Sequence, residues 1–297
     1  MTIIPTNDCH FGEYVPAYFK VREWLSGFTG SAGTLAVTLS DAALWTDSRY
    51  FIQAARQLEG SGIVLMKQKV AGTPTIAQWI NEKCRESQAA PASFAVGLDG
   101  DLFTADEVED YRAQLGGIPL TLFRDPFDTI WAERPQLTFT DITLMPERYA
   151  GMSVRDKYLA VRNHLCIEGE FAMFVTACDE VMWLCNLRAN DVEYNPVALS
   201  YCILDNCGIT LFCKKEKLTR EAADYLAAQD VKVCDYDEID DALSRIPGSV
   251  PVIASGGLCS ARKTSILKNH PMVKEQVVGG TIAMLRACKN DIQLEWT

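Results

Sequence analysis

Apolar and polar residues alternate along this chain in short blocks, and the spacing within the blocks switches between the strand period and the helix period. In the first part, Ser40-Asp41 separates two apolar runs and indicates a β-hairpin. Thr104 and Glu107 form a capping box in front of a helical pattern. Strands are predicted at 35–39, 43–46, 63–66 and 94–98, and helices at 51–58, 75–85 and 104–115. This order is typical of an α/β fold.

A mixed polar stretch that contains Pro126 and Pro135 interrupts the alternation and is typical of a linker. We therefore predict two domains, residues 1–124 and 146–297, joined by a linker at 125–145. In the second domain, helices are predicted at 153–164 and 180–187, and strands at 171–176, 201–204 and 210–213.

The two halves resemble one another in the order of their elements. Residues 36–45, with the helix and strand that follow, parallel residues 202–212, which precede a helix ending at Leu226 and a strand at Val231. Residue identity between the halves is low. An internal duplication predicts the same strand order in two sheets, whereas a chance similarity of two α/β domains does not.

Composition limits the classes of function. The 297 residues are 48% hydrophobic and carry a net charge of −11, which opposes the phosphate attraction that nucleic-acid binding depends on. No apolar run is long enough to cross a bilayer and no signal peptide opens the chain, which predicts a cytoplasmic protein without a membrane partner. Eleven cysteines without a CxxC pair indicate reduced, mostly buried thiols.

Residue types that carry chemistry are sparse. The three glycines within residues 27–33 fit neither the phosphate loop nor the dinucleotide fingerprint, and we predict that they serve a tight turn. Ser31 lies outside a GxSxG elbow and is predicted to be structural. The three histidines are far apart in sequence, so no metal-ligand cluster is recognisable. The acidic run 235–241 is predicted to begin a solvated helix capped by Asp237.

The segment 186–196 is dense in hydrogen-bonding side chains and lies between two apolar elements. Such a composition is typical of a loop at a cleft or a domain contact. On that interpretation Arg188, Asp191, Tyr194 and Asn195 are candidate residues at the entrance to a binding site. The alternative is a structural loop in which Arg188 and Asp191 pair with each other.

Several stretches resemble the Xaa-Pro aminopeptidases, also called aminopeptidase P, of the creatinase and prolidase group. They extend almost from end to end of the chain and are specific when taken together. The stretches are 3–8, 10–14, 22–34, 44–51, 57–62, 130–135, 183–188 and 194–197, with SGFTGSAGT at 26–34 and LWTDSRYF at 44–51 as the most telling.

This resemblance implies a fold and an activity. Each domain would be a creatinase/prolidase N-terminal-like α/β unit, with a mixed β-sheet flanked by helices. Full-length members release an N-terminal residue that precedes proline, and they use two divalent metals, usually manganese, in a third domain of the pita-bread type. They are also expected to form homodimers, largely through that third domain.

The chain departs from these relatives in several places. It begins with a Met directly before a strand at Ile3-Ile4, where relatives usually have a preceding helix, and it ends at Glu295-Trp296-Thr297, where the helix into the catalytic domain is expected. No catalytic residue or metal ligand is therefore carried over. Ala189 stands where relatives commonly have glycine and Glu193 where they commonly have proline, so the loop conformation does not transfer directly.

We therefore expect the non-catalytic N-terminal region of a metal-dependent Xaa-Pro aminopeptidase, inactive by itself, which shapes the entrance to an active site outside this chain. Its partners would be the catalytic domain and peptides with proline in the second position, and the chain itself would bind no cofactor and no nucleic acid. The alternative is a non-enzymatic binding module for basic proteins, like the peptidase-like region of the histone chaperone in the FACT complex. The net charge of −11 permits this second interpretation.

Overall fold

The computed structural model describes residues 1–88 and 90–295, and the chain divides into two compact units. Each unit combines one long stretch of chain with shorter segments from elsewhere. Unit 1 consists of Met1–Cys9, Val15–Leu137 and Ser260–Arg262, and unit 2 of His10–Tyr14, Thr138–Cys259 and Lys263–Thr297. The linker at 125–145 and the domain limits on either side of it stay a prediction. Trp296 and Thr297, the end of the predicted second domain, lie outside the described residues.

Unit 1 contains one mixed sheet of six strands and the helices that cover it. The strands are β1 (Thr2–Pro5), β2 (Thr34–Val37), β3 (Ala42–Thr46), β4 (Ile63–Lys67), β5 (Val96–Asp99) and β6 (Leu120–Phe123). The helices are α1 (Val21–Ser26), α2 (Phe51–Gln57), α3 (Ile76–Glu86) and α4 (Ala105–Gln114). Short 3-10 helices occupy Ala17–Phe19, Ser48–Tyr50 and Pro91–Ser93. The strand order is β4-β3-β2-β1-β5-β6.

Successive residues of a strand point to opposite faces of the sheet. Each face of this sheet packs against its own apolar cluster. Trp45 packs in one apolar cluster with Ile80 of α3, while its neighbour Leu44 packs in a second cluster with Ala54 of α2. The predicted capping box at Thr104 is present and starts α4, since the hydroxyl of Thr104 accepts a hydrogen bond from the backbone of Glu107.

Unit 2 repeats this design. Its strands are β7 (Thr143–Leu144), β8 (Ala172–Val175), β9 (Leu187–Arg188), β10 (Tyr201–Asp205), β11 (Gly208–Cys213), β12 (Lys232–Asp235), β13 (Val252–Ala254) and β14 (Met272–Val273). Its helices are α5 (Glu147–Ala150), α6 (Val154–Leu165), α7 (Cys178–Cys185), α8 (Arg220–Ala228), α9 (Ile239–Ser244), α10 (Ala261–Ile266), α11 (Thr281–Ala287) and α12 (Asp291–Glu295). Helix α10 begins in the short segment that belongs to unit 1. Short 3-10 helices occupy Lys215–Lys217, Tyr236–Glu238 and Ser255–Gly257.

The six-stranded sheets of the two units have the same topology. The order in unit 2 is β12-β11-β10-β8-β13-β14, in which each strand takes the place of its counterpart in unit 1. The directions also agree: β1 pairs antiparallel with β2 and parallel with β5, as β8 does with β10 and β13. The predicted internal repeat is therefore confirmed at the level of strand order and direction, and so is the predicted α/β fold with two mixed sheets.

Two details of the predicted elements are wrong. The helix predicted at 180–187 ends at Cys185, because Asn186 adopts a left-handed conformation with a φ of 53°, and Leu187 belongs to β9. Asp235, and not Asp237, caps the turn that leads into α9, and Glu238 completes a capping box with it. The reason is that β12 ends at Asp235, so the orphan N–H groups of the turn begin directly after it. Ile239 and Leu243 are buried and form the inward face of α9.

Candidate functional site

Asp191 anchors the polar loop that follows β9. Its carboxylate is buried and accepts three hydrogen bonds. Two come from the backbone N–H and the hydroxyl of Thr140, at 2.6 and 2.8 Å, and the third from the backbone N–H of Leu199, at 2.9 Å. Among the residues that the structure describes, Arg188 donates to the carbonyl of Leu187 and forms no ion pair with Asp191, so the alternative in which these two side chains pair is wrong.

Tyr194 and Asn195 form the outer turn of the same loop. The backbone N–H of Asn195 donates to the carbonyl of Val192 at 3.2 Å, and the N–H of Val197 donates to the carbonyl of Asn195 at 2.8 Å. This tight turn holds Tyr194 at a φ of 64°, in the left-handed region that disfavours side chains. The Tyr194 side chain is nevertheless 83% exposed, so most of its surface is presented to solvent.

Arg188, at the end of β9, is half-buried. Its Nη1 donates to the carbonyl of Leu187 at 2.7 Å, and Arg188 has no carboxylate partner among the residues that the structure describes. Burial lowers the pKa of the Arg188 guanidinium, and the positive charge of Arg286 lowers it further. A partly desolvated guanidinium that has no described counter-ion is suited to bind an anionic group.

The structure adds two aromatic residues that the loop sequence did not indicate. His10 is buried; its Nδ1 lies 2.9 Å from the carbonyl of Thr176, its Nε2 lies 2.8 Å from the hydroxyl of Tyr236, and its ring packs on Tyr201 with centroids 4.3 Å apart. Four residues later, the ring of Tyr14 meets the ring of Tyr194. The only sequence signal for this segment was the family-like stretch at 10–14, which says nothing about its spatial neighbours.

A group of carboxylates surrounds the start of α7 and the approach to α11. Glu180 is buried, its Oε2 accepts from the hydroxyl of Ser255 at 2.7 Å, and burial raises its pKa to about 7. Asp179 accepts from the guanidinium of Arg286 at 2.7 Å. Glu275 accepts from the backbone N–H groups of Gly256 and of Thr281, the first residue of α11, both at 2.7 Å. Sequence reasoning missed this group because Glu180 lies 75 positions from Ser255, and Asp179 lies 107 positions from Arg286.

The glycine-rich stretch 26–34 is held by the chain itself. Arg22 is buried, and its two terminal nitrogens donate to the carbonyls of Phe28 and Gly30, both at 2.6 Å. The hydroxyl of Ser31 is hydrogen-bonded to the hydroxyl of Tyr50 at 2.7 Å. The stretch is therefore a turn braced by an arginine, in agreement with the structural role predicted for its glycines.

Within the described ranges 1–88 and 90–295, no group of three or more His, Cys, Asp or Glu residues is arranged to hold a metal ion. No helix in this part of the chain is both long and apolar enough to span a bilayer. The described cysteines form no disulfide; those that are buried are Cys84, Cys178, Cys185, Cys202, Cys213 and Cys259.

Comparison with protein families finds the same domain twice. The model for the creatinase/prolidase N-terminal domain matches residues 19–130, and a second model with the same description matches residues 133–293. Both halves of the chain therefore resemble this domain, in agreement with the repeated strand order.

Curated relatives are similar over nearly the whole chain. A probable Xaa-Pro aminopeptidase P of Coprinopsis cinerea is 31% identical over 99% of this chain and 48% of its own length. Another of Colletotrichum graminicola is 37% identical over 94% of this chain and 45% of its own length. The chain thus spans about half the length of the curated relatives that it matches.

Among solved structures, the X-prolyl aminopeptidase of Caenorhabditis elegans superposes on 99% of this chain and 48% of its own, with a TM-score of 0.86 and 28% identity. That protein is described as a cytosolic enzyme with a di-nuclear active site. The fold and the sequence similarity lead to the same group of proteins, and the similarity suggested by the stretches quoted above is confirmed.

Proposed function

Because the chain belongs to the creatinase/prolidase family, whose N-terminal domain it carries twice, we propose that it is the non-catalytic N-terminal region of a metal-dependent Xaa-Pro aminopeptidase. Such an enzyme releases an N-terminal residue that precedes proline. The observation that carries the proposal is the similarity to the first-named relatives over 94% to 99% of this chain but less than half of theirs.

The reaction would take place outside this chain. We propose that a catalytic domain in the same polypeptide holds two divalent metals, with manganese as the family resemblance implies, and that this chain alone hydrolyses no peptide. The di-nuclear active site attributed to the Caenorhabditis elegans enzyme supports the pair of metals. Its description as cytosolic supports a cytosolic location, and the homodimer expected for the full-length parent belongs to the same proposal.

Within this chain, the loop after β9 is proposed to line the entrance to that active site. Asp191 would position the loop, since its three hydrogen bonds connect it to Thr140, which precedes β7, and to Leu199, which precedes β10. Tyr194 and Asn195 would face the peptide, because the turn directs them away from the core. Arg188 would bind a carbonyl or carboxylate oxygen of the peptide, because within residues 1–88 and 90–295 its guanidinium donates to the Leu187 carbonyl alone.

A chimera provides the test. This chain replaces the first half of the Caenorhabditis elegans enzyme, which it matches over 48% of that chain, and kcat/KM is measured on Xaa-Pro peptides with manganese present. Arg188→Ala should lower kcat/KM about 10- to 150-fold, since a hydrogen bond to a charged group is worth ~1.5–3 kcal/mol. Arg220→Ala is the matched control, because that side chain is 95% exposed on α8.

Two results would overturn the proposal. Unchanged kcat/KM in a folded Arg188→Ala chimera, with the fold checked by thermal melting, would remove the entrance role. Proline-directed cleavage by this chain alone, with manganese added, would remove the non-catalytic role. The unmodified chimera establishes that the joined halves are active before either comparison is made.

A second function is favoured by the net charge of −11, which suits basic protein partners. In that case the chain would be a binding module without catalysis. Retention of basic, proline-free peptides together with an inactive chimera would favour it over the peptidase assignment.

A further inference from the structure

Tyr14 and Tyr194 form an exposed aromatic pair in unit 2. Their ring centroids are 6.2 Å apart at an interplanar angle of 63°, an edge-to-face arrangement. Tyr14 is 44% exposed and Tyr194 is 83% exposed. Edge-to-face packing uses the edge of one ring and leaves ring faces accessible to a further group.

The backbone holds Tyr194 in this position against its own preference. A positive φ is unfavourable for a tyrosine and persists only where the surroundings impose it. Here the Asn195 to Val192 hydrogen bond closes the turn, and the buried Asp191 carboxylate fixes the start of the loop. Since the side chain gains little burial in return, presentation of the ring is the feature that this backbone conformation provides.

Tyr14 lies far from Tyr194 in the sequence, and its segment is also fixed in place. The segment His10–Tyr14 belongs to unit 2, although the residues on either side of it belong to unit 1. His10 fixes the segment through its bonds to the Thr176 carbonyl and the Tyr236 hydroxyl. The pair is therefore assembled from two anchored segments and is not a chance meeting of two mobile loops.

An exposed glutamate directly precedes each tyrosine in the chain, Glu13 before Tyr14 and Glu193 before Tyr194. The Glu193 carboxylate lies close enough to accept from the Tyr194 hydroxyl, a bond that raises the pKa of that phenol. An electron-rich ring face beside carboxylates attracts a cation, and guanidinium groups in particular stack on tyrosine faces.

We infer that Tyr14 and Tyr194, with Glu13 and Glu193, form a subsite for a basic side chain of the peptide, arginine above all, at a position beyond the proline. This inference rests on the proposed function, because it takes the peptide to be the ligand of this loop. It adds a preference that the release of a residue before proline does not require. The net charge of −11 agrees with a basic ligand.

The test compares two peptides that differ only in charge. Ala-Pro-Ala-Arg-amide and Ala-Pro-Ala-citrulline-amide are titrated into the protein with ring-labelled tyrosine, and NMR shifts give Kd for each. The arginine peptide should bind about fivefold more tightly and shift Tyr14 and Tyr194, since exposed cation–π contacts amount to about a two- to fivefold effect and the carboxylates add to it. The C-terminal amide removes the carboxylate that would otherwise compete.

Variants assign the preference to the pair. Tyr194→Leu and Glu193→Gln should each reduce the arginine preference, while Tyr194→Phe should keep it, because the ring face remains. Tyr149→Leu, at a 41% exposed tyrosine of α5, is the control and should leave it unchanged. Since Tyr194 is exposed, these loop variants are expected to fold, and a melting curve confirms it.

Equal Kd values for the two peptides, or a preference that survives Tyr194→Leu, would overturn the inference and leave the proposed function intact. Absence of any shift with either peptide would overturn it as well. The proposed function is judged separately, by whether the chimera cleaves these same two peptides.

Discussion

The carboxylate of Asp191 accepts hydrogen bonds from both the backbone N–H and the hydroxyl of Thr140, a residue 51 positions earlier in the chain. Its other oxygen accepts a hydrogen bond from the backbone N–H of Leu199. One buried side chain thus joins the segment that enters unit 2 to both ends of the polar loop. The loop geometry, including the turn at Tyr194, depends on this anchor.

Replacing Asp191 with alanine should destabilise the chain by ~2–4 kcal/mol, because two backbone N–H groups and a hydroxyl lose their acceptor in a buried position. Urea unfolding measures the change. Asp224→Ala is the control, since that carboxylate is 76% exposed on α8, and it should change the free energy of unfolding by less than ~0.5 kcal/mol. Similar losses for the two variants would contradict the anchoring role.

The glycine-rich stretch gives a second prediction. A Cβ on Gly30 would lie 2.2 Å from the ring of Phe28, which is fully buried, and 2.9 Å from the ring of Tyr50. Gly30→Ala should therefore cost ~1–3 kcal/mol through overpacking. Gly248→Ala meets no atom within 4 Å and should be neutral or slightly stabilising. Equal melting temperatures for the two variants would show that the ring of Phe28 can move aside.

Glu180 makes stability depend on pH. Its pKa is raised from 4.5 to about 7 in the folded chain, so between these values the folded chain binds more protons than the unfolded chain. Stability therefore falls as the pH rises from about 4.5 to 7, and the loss is complete above that range.

Glu180→Gln removes this dependence while keeping an oxygen that can accept from Ser255. Relative to the unchanged protein, the variant should gain up to ~3 kcal/mol at pH 8 and almost nothing at pH 4.5. Free energies of unfolding are compared at the two pH values, with the exposed Glu221→Gln as control. A gain of the same size at both pH values would be incompatible with a raised pKa.

Strain at Tyr194 can be measured with two truncations that both remove the ring. Tyr194→Gly should melt at a higher temperature than Tyr194→Ala, because only glycine adopts a φ of 64° without penalty. Differential scanning calorimetry distinguishes the two. If alanine melts at the higher temperature, the turn relaxes once the tyrosine is gone.

Much of the fold follows from local sequence patterns. The hairpin around Ser40-Asp41 and the capping box at Thr104 were predictable, because their signals lie within a few residues of one another. The repeat was also visible, since hairpin, helix and strand recur in the same order in both halves. Asp237 was the wrong cap because sequence alone did not fix where β12 ends.

The candidate site was less predictable. The loop 186–196 stood out by composition, but the partner of Asp191 lies at Thr140, in a stretch without periodicity. The partner of Tyr194 comes from residue Tyr14, and the hydrogen bond of Glu180 comes from Ser255. These relationships depend on how remote segments pack, which neither propensity nor spacing records.

Each unit includes a short segment from the half of the chain that otherwise forms the other unit, and this affects how the protein can be divided into fragments. A fragment cut at the boundary would deprive unit 1 of Arg262, whose guanidinium binds the Asp101 carboxylate at 2.7 Å. The complementary fragment would lose His10, leaving the Tyr236 hydroxyl and the Thr176 carbonyl without that imidazole. A single proteolytic nick between the halves is therefore expected to leave both products incomplete, so they should be expressed and melted as one polypeptide.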